Sequence, residues 1–215
     1  MRARAGCAQG LVITAAQQTK GRGRQGRVWA SEPGNLYTSI VLRPTREARH
    51  YGDLAFVAAL ALSETLEKFD LRPQIKWPND VLLEGAKISG LLLESEPGWV
   101  VLGMGVNVAH APTLPDRATT SLAAQGLSLT APELLDQFLP HLARWYAVWQ
   151  EQGLSALVQP WKQRAIGLGQ PVNVRLAPGQ ELSGTFTDLD KDGALLLSQP
   201  GQPLRRILAG DVFFT

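Results

Sequence analysis

Cysteine is nearly absent, with Cys7 alone in 215 residues. That excludes an internal disulfide framework and a cysteine-rich metal cluster. Histidine is almost as scarce. His50, His110 and His141 lie far apart without ligand spacing, so no metal site is assigned to side chains. Charge of one sign is also lacking. The formal net charge is +2, which argues against a protein that grips nucleic acid over a whole basic face. No apolar run is long enough to span a bilayer. "LVITAA" is too short for the apolar part of a signal peptide, so the cytoplasm is the expected compartment. Internal repeats and low-complexity tracts are missing as well. What remains is ordinary globular material, 45% apolar and 19% charged, enough for one large domain or a domain with a small appendage.

The patterning predicts α+β. "GLVITAA" (10–16) reads as a short buried strand and "NLYTSIVLR" (35–43) as another. Leu54, Ala58, Ala61, Leu62, Thr65 and Phe69 share one helical face, with Glu64, Glu67 and Lys68 outside it. "PQIKW" (73–77), "VLLEG" (81–85), "KISGLLLES" (87–95) and "WVVLGMGVNV" (99–108) are separated by turn residues, which predicts an antiparallel meander. "AHAPTLPDRATT" (109–120) has no period and reads as a loop covering something. Leu134, Leu135, Phe138, Leu142, Trp145 and Trp149 form a helical stripe, and a second helix covers roughly 153–166. Composition shifts at "GLGQP" (167–171). Short strands follow, with Asp192-Gly193 a hairpin signal, and suggest a small curled β-barrel. The expected division is 1–167 and 168–215.

Two stretches carry chemistry. "KGRGRQGRVW" (20–29) interleaves Lys20, Arg22, Arg24 and Arg27 with Gly21, Gly23 and Gly26 and ends on Trp29. Glycines let backbone N–H groups approach an anion, and arginines grip phosphate with a planar fork. A solvated basic turn is the alternative. Trp29 offers a stacking face for a base or a core anchor under the loop. In "KWPNDV" (76–81), Pro78 fixes a turn at which Asn79 and Asp80 point outward; an ordinary hairpin is the bland reading. Lys87 opens a very apolar strand, either snorkelling to water or binding an anion, and Gly90 within that strand suggests close approach. "GMGVN" (103–107) lacks the GxGxxG-helix context of a dinucleotide site, and no P-loop pattern occurs.

Together, "QQTKGRGRQGRVW", "KWPNDV", "KISGLLLE" and "GMGVN", in this order, resemble the biotin–protein ligase family. The likeness runs from about residue 10 to the C-terminus. It implies a class II synthetase-like catalytic domain, a mixed and largely antiparallel sheet with helices on one side, then an SH3-like barrel. It also implies ATP and Mg²⁺, with biotin as substrate and a biotin carboxyl carrier protein as acceptor. Biotin would attack the α-phosphate to give biotinyl-5′-AMP, and a carrier lysine would then take the biotinyl group. By resemblance, Lys87, Arg24 and Asp80 are catalytic, with Asp80 orienting or deprotonating the acceptor amine. Gln18, Gly21, Arg22, Gly23, Arg24, Lys87 and Gly90 face biotin. Arg24, Arg27, Trp29, Asn79, Lys87 and Asn107 serve ATP, with Trp29 beside adenine. Magnesium is expected on the ATP phosphates. "MRARAGCAQG" reads as the end of a helix, and the Ser-Thr-Asn-type segment that contacts the biotin ureido ring in the family is expected upstream of it. No helix-turn-helix precedes the first motif, which points to the ligase-only type; a homodimer is compatible. The other readings are a catalytically impaired nucleotide-binding relative, or a nucleic-acid module using the arginine loop with Arg205 and Arg206.

Overall fold

The computed structural model describes residues 3, 6–177 and 179–214. Eleven strands and three α-helices are present among them. The first sheet is built from β1 (Val12–Ala15), β2 (Leu36–Leu42), β3 (Pro73–Lys76), β4 (Asp80–Leu83), β5 (Ala86–Glu96) and β6 (Trp99–Val106), in the order β1-β2-β6-β5-β4-β3. Every ladder is antiparallel, and β3 to β6 form the predicted meander. The parallel element is limited to isolated bridges, Ile75 to Ala165 and Lys87 to Thr119. β1 is an edge strand rather than a buried one. Val12 packs on the core, while Ile13 is 42% exposed.

Helix α1 (Leu54–Glu67) departs from the predicted one-sided pattern. It is buried on nearly every side, because the sheet lies on one flank and two further helices on the others. Its small residues Ala58, Ala59 and Ala61 let the neighbours approach. Phe69 falls beyond the helix end, and Glu64 faces inward to meet His141 and Arg144 of α2 (Ala131–Gln152). Helix α2 begins where its sequence says it should. The Thr130 hydroxyl accepts from the Glu133 N–H and the Glu133 carboxylate accepts from the Thr130 N–H, a capping box. α3 (Ser155–Lys162) is shorter than the stretch predicted for it. α1 and α2 pack together against the sheet, and α3 packs on both of them. The opening segment, expected as a helix end, makes turns at residues 3, 6, 9 and 10; residues 1, 2, 4 and 5 lie outside the described residues.

The second sheet runs β10-β9-β8-β7-β11, from β7 (Pro171–Ala177), β8 (Gln180–Leu189), β9 (Leu195–Ser198), β10 (Arg205–Ile207) and β11 (Asp211–Phe214). A small curled, SH3-like barrel was expected, and a second sheet is present. The sheet is open among the described residues, with β10 and β11 as its two edges. β11 is tied instead to the first sheet's rim, as described below. The β8–β9 hairpin forms at Asp192-Gly193 as predicted, and the Gly193 carbonyl accepts from Trp77 Nε1 at 3.0 Å. One apolar cluster runs through both sheets and the helices. No helix of the described residues is long and apolar enough to cross a membrane.

Candidate active site

The face of the first sheet opposite the helices carries a cleft of about 570 Å³. Its floor is almost bare because glycines meet there. Gly90 of β5 lies directly across from Gly105 of β6, and Gly103 is two residues along. The Trp29 indole lies on this floor. A Cβ at Gly105 would come within 2.5 Å of its ring, and one at Gly90 within 2.8 Å. Trp29 is thus both an anchor and a cleft wall, half-buried, with its indole N–H unpartnered.

The loop before Trp29 is closed on itself. The Gly23 N–H donates to the Arg27 carbonyl at 2.7 Å, and the Trp29 N–H to the Gly21 carbonyl at 3.0 Å. Gly26 takes φ +72°, a left-handed conformation suited to glycine. Gly21 has another reason to lack a side chain, since a Cβ would sit 2.4 Å from the Trp29 carbonyl oxygen. It is buried behind the loop, off the cleft wall. Every other residue proposed from the sequence lines the cleft: Gln18, Arg22, Gly23, Arg24, Arg27, Trp29, Asn79, Asp80, Lys87, Gly90 and Asn107.

The β3–β4 turn sets Lys76 opposite Asp80, and Asp80 opposite Gly90. Asp80 therefore opens β4 on the cleft face rather than pointing out from a turn. Its carboxylate accepts from Lys87 Nζ at 2.6 Å, with the two side chains 14% and 15% exposed. Lys87 Nζ also stands 5.3 Å from the Trp29 ring centroid. Asn79 braces Arg24: its Oδ1 accepts from Arg24 Nη1 at 2.9 Å, while its amide donates to the Leu91 carbonyl. Burial pulls the Arg24 pKa below the ordinary arginine value, opposed by Asp211 and Asp80. Asn107 is buried. Its amide donates to the carbonyls of Thr120, at 3.0 Å, and of Lys87, at 3.4 Å, holding the 109–120 loop to β5. That loop does cover something: Pro112, Leu114, Asp116, Arg117 and Thr119 all line the cleft.

Sequence reasoning missed the partners of the cations. Arg22 pairs with Glu94 at 3.1 Å, and Arg27 with Asp211 of β11 at 2.8 Å. Arg24 Nη1 also approaches the Gly210 carbonyl at 3.4 Å. Lys76 lies 5.3 and 5.4 Å from the Phe213 and Phe214 ring centroids. These contacts fasten β11 beside the cleft. Arg117, another omission, is held by Asp116. Six cations (Lys20, Arg22, Arg24, Arg27, Lys87, Arg117) and four carboxylates (Asp80, Glu94, Asp116, Asp211) line the space, which suits a polyanion.

Residues 5–109 match the biotin/lipoate A/B protein ligase family, and residues 167–215 match the biotin protein ligase C terminal domain. The biotin–[acetyl-CoA-carboxylase] ligase of Paracoccus denitrificans is 40% identical over 94% of this chain and 89% of its own length. The chain belongs to this family. The enzyme of the same name from Mycobacterium tuberculosis is 34% identical over 94% of this chain and 78% of its own. Among solved structures, the biotin protein ligase from Aquifex aeolicus in complex with biotin and ATP aligns at a TM-score of 0.84. It is 29% identical, covering 97% of this chain and 90% of that one. Family membership accounts for the order of the four motifs and for the cleft they build.

Proposed function

We propose that the protein attaches biotin to one lysine of a biotin carboxyl carrier protein, using ATP through a biotinyl-5′-AMP intermediate. The observation that carries this reading is the meeting of Arg24, Arg27, Lys87 and Asp80 on one cleft whose glycine floor carries Trp29. The chain divides for this purpose into a catalytic part, 1–167, and a C-terminal sheet, 168–215.

In the first step a biotin carboxylate oxygen bonds to the α-phosphorus, and the bond to pyrophosphate breaks. Two anions must meet, and negative charge grows on the phosphoryl oxygens. Lys87 and the half-buried Arg24 supply fixed cations there, with Arg22 and Arg27 on the same loop. Magnesium would come bound to the ATP phosphates, where it would supply further charge shielding. Among the described residues no three acidic, histidine or cysteine side chains form a metal site of their own. Trp29 and Asn79 serve the nucleotide, with Asn107 holding the covering loop. Gln18, Gly23 and Gly90, backed by Gly21, serve biotin. In the second step the carrier amine attacks the mixed anhydride and AMP leaves. Asp80, already bound to Lys87, is placed to orient that amine or take its proton. ATP and carrier as co-substrates put this reaction in the cytoplasm.

The nucleic-acid reading loses support from Arg206, which is engaged by Asp190 and Asp192. The test is pyrophosphate release from ATP and Mg²⁺ with and without biotin, followed by mass spectrometry of a carrier domain. Biotin-dependent release and a single biotinylated lysine are expected. Release that ignores biotin would overturn the proposal.

A further inference from the structure

The Arg117 guanidinium occupies a place that the assigned residues do not explain. It lines the cleft from the covering loop, and its side chain is only 22% exposed although it belongs to an irregular segment. The backbone beside it is pinned. The Lys87 N–H donates to the Ala118 carbonyl at 2.9 Å, and the Thr120 N–H donates to the Lys87 carbonyl at 3.0 Å. Arg117 is therefore fixed against the strand that carries Lys87. Its charge is felt at Lys76, and it is acted on in turn by Asp80 and Asp211. Asp80, Asp211, Arg27 and Lys87 line the same cleft.

Its one close partner is its neighbour. Both Asp116 carboxylate oxygens accept from the guanidinium, Oδ1 at 3.1 Å and Oδ2 at 2.5 Å. This two-pronged contact is the one an arginine fork makes with phosphate oxygens. The Asp116 side chain is 46% exposed, whereas that of Arg117 is 22% exposed and follows directly on backbone bonded to Lys87. Arg27, which lines the same cleft, also lowers the Asp116 carboxyl pKa, after the larger effect of Arg117 itself. A carboxylate held in an arginine fork on the lining of a polyanion cleft marks where a phosphate group would sit.

We propose that Arg117 is a ligand for the terminal phosphates of ATP, the part that leaves as pyrophosphate, and that Asp116 fills its fork until they arrive. The inference rests on the ATP-dependent reading above. It adds a fourth cation to Arg24, Arg27 and Lys87 and assigns it to the leaving group, which neither biotin nor the adenylate carries.

The test compares ATP and AMP binding, with Mg²⁺, by calorimetry for wild type, Arg117→Ala, Arg117→Lys and Asp116→Ala. Arg117→Ala should weaken ATP by about ten- to a hundredfold, the size of one charge-assisted contact, and leave AMP unchanged. Arg117→Lys should recover part of the loss. Asp116→Ala should bind ATP more tightly, because it removes the competing carboxylate. Equal loss of ATP and AMP by Arg117→Ala, or weaker ATP binding by Asp116→Ala, would overturn the proposal. The second variant decides the matter even where the first does not fold. Failure of wild type to make biotinyl-AMP sinks the functional reading instead, and leaves the ATP-to-AMP comparison standing.

Discussion

Lys87 and Asp80 were assigned to different half-reactions, yet their side chains touch. The 2.6 Å contact makes a sharp test of the division of labour. Lys87→Ala removes a cation from the point where carboxylate and triphosphate meet. One preorganised charge-assisted contact is worth roughly 2–4 kcal/mol, or about one and a half to three decades in the rate of adenylation. Asp80→Asn is the cleaner partner variant, since it keeps the shape and an oxygen for Lys87 to donate to. Loosening Lys87 this way should cost adenylation about 1 kcal/mol, close to fivefold. Transfer should suffer far more, by about two to four decades, because orientation and proton acceptance at the amine are lost. Rapid-quench single-turnover assays measure the first step from ATP and biotin. Purified biotinyl-AMP with carrier measures the second. If Asp80→Asn transfers biotin from supplied adenylate at the wild-type rate, Asp80 has no part in the amine chemistry. If both steps fall together with the thermal midpoint, Asp80 is a turn residue and nothing more.

Gly105→Ala should push Trp29 off the cleft floor, because the new methyl would lie 2.5–2.7 Å from the indole; ATP and biotin binding should both weaken, with a stability loss of about 1–3 kcal/mol by denaturant titration. Asp53 gives a pH signature. Burial raises its pKa above the ordinary 3.8, although Trp149 Nε1 donates to it at 2.9 Å. The folded state therefore holds the proton more tightly than the unfolded chain, so stability falls as pH climbs from 3.8 through the folded value and stays lowered above it. Asp53→Asn should gain on wild type over that window and hold the gain at neutral pH; a variant less stable at pH 7 than at pH 3 relative to wild type contradicts this. Hydrogen exchange should slow in residues 21–28 and 110–117 on adding biotinyl-AMP, while 118–120, already bridged to Lys87, changes little. Unchanged exchange in both loops would remove their role as covers.

The parts of the site that the sequence made legible are those built by local chemistry. "KWPNDV" announces a turn, and the turn delivers Asp80 and Asn79 to the cleft edge. Gly90 of "KISGLLLE" announces close approach, and Trp29 is what approaches; Gly105 of "GMGVN", a weak signal by itself, meets the same ring. The family resemblance joined these pieces before any contact was known. What stayed hidden depends on long separations. Arg27 meets Asp211 across 184 positions, and no periodicity marks an aspartate at the head of a terminal strand. Arg117 sits in a stretch with no pattern, so nothing separated it from a solvated loop arginine. The stripe drawn for α1 was too narrow for a related reason. A helical window sees its own residues and cannot see that α2 covers the face carrying Glu64. Whether the curled C-terminal sheet closes was not legible, because strand lengths and hairpin signals say where strands are and leave open which edges meet.

Those hidden contacts have a common logic. Arg22, Arg27, Lys87 and Arg117 each rest on a carboxylate, from Glu94, Asp211, Asp80 and Asp116. Four unpaired cations packed around one cleft would repel one another and destabilise the empty protein. Pairing relieves that repulsion, yet an exposed pair is worth only about 0–1 kcal/mol and is readily exchanged. A triphosphate with its multiple charges competes well against single carboxylates for the same forks. The pairs differ in how easily they part. The Arg22–Glu94 side chains are 63% and 36% exposed, whereas the Lys87–Asp80 pair is mostly shielded. The loop cations are thus the easier to turn toward an arriving anion. Lys87 keeps its carboxylate close by, where the second half-reaction needs one.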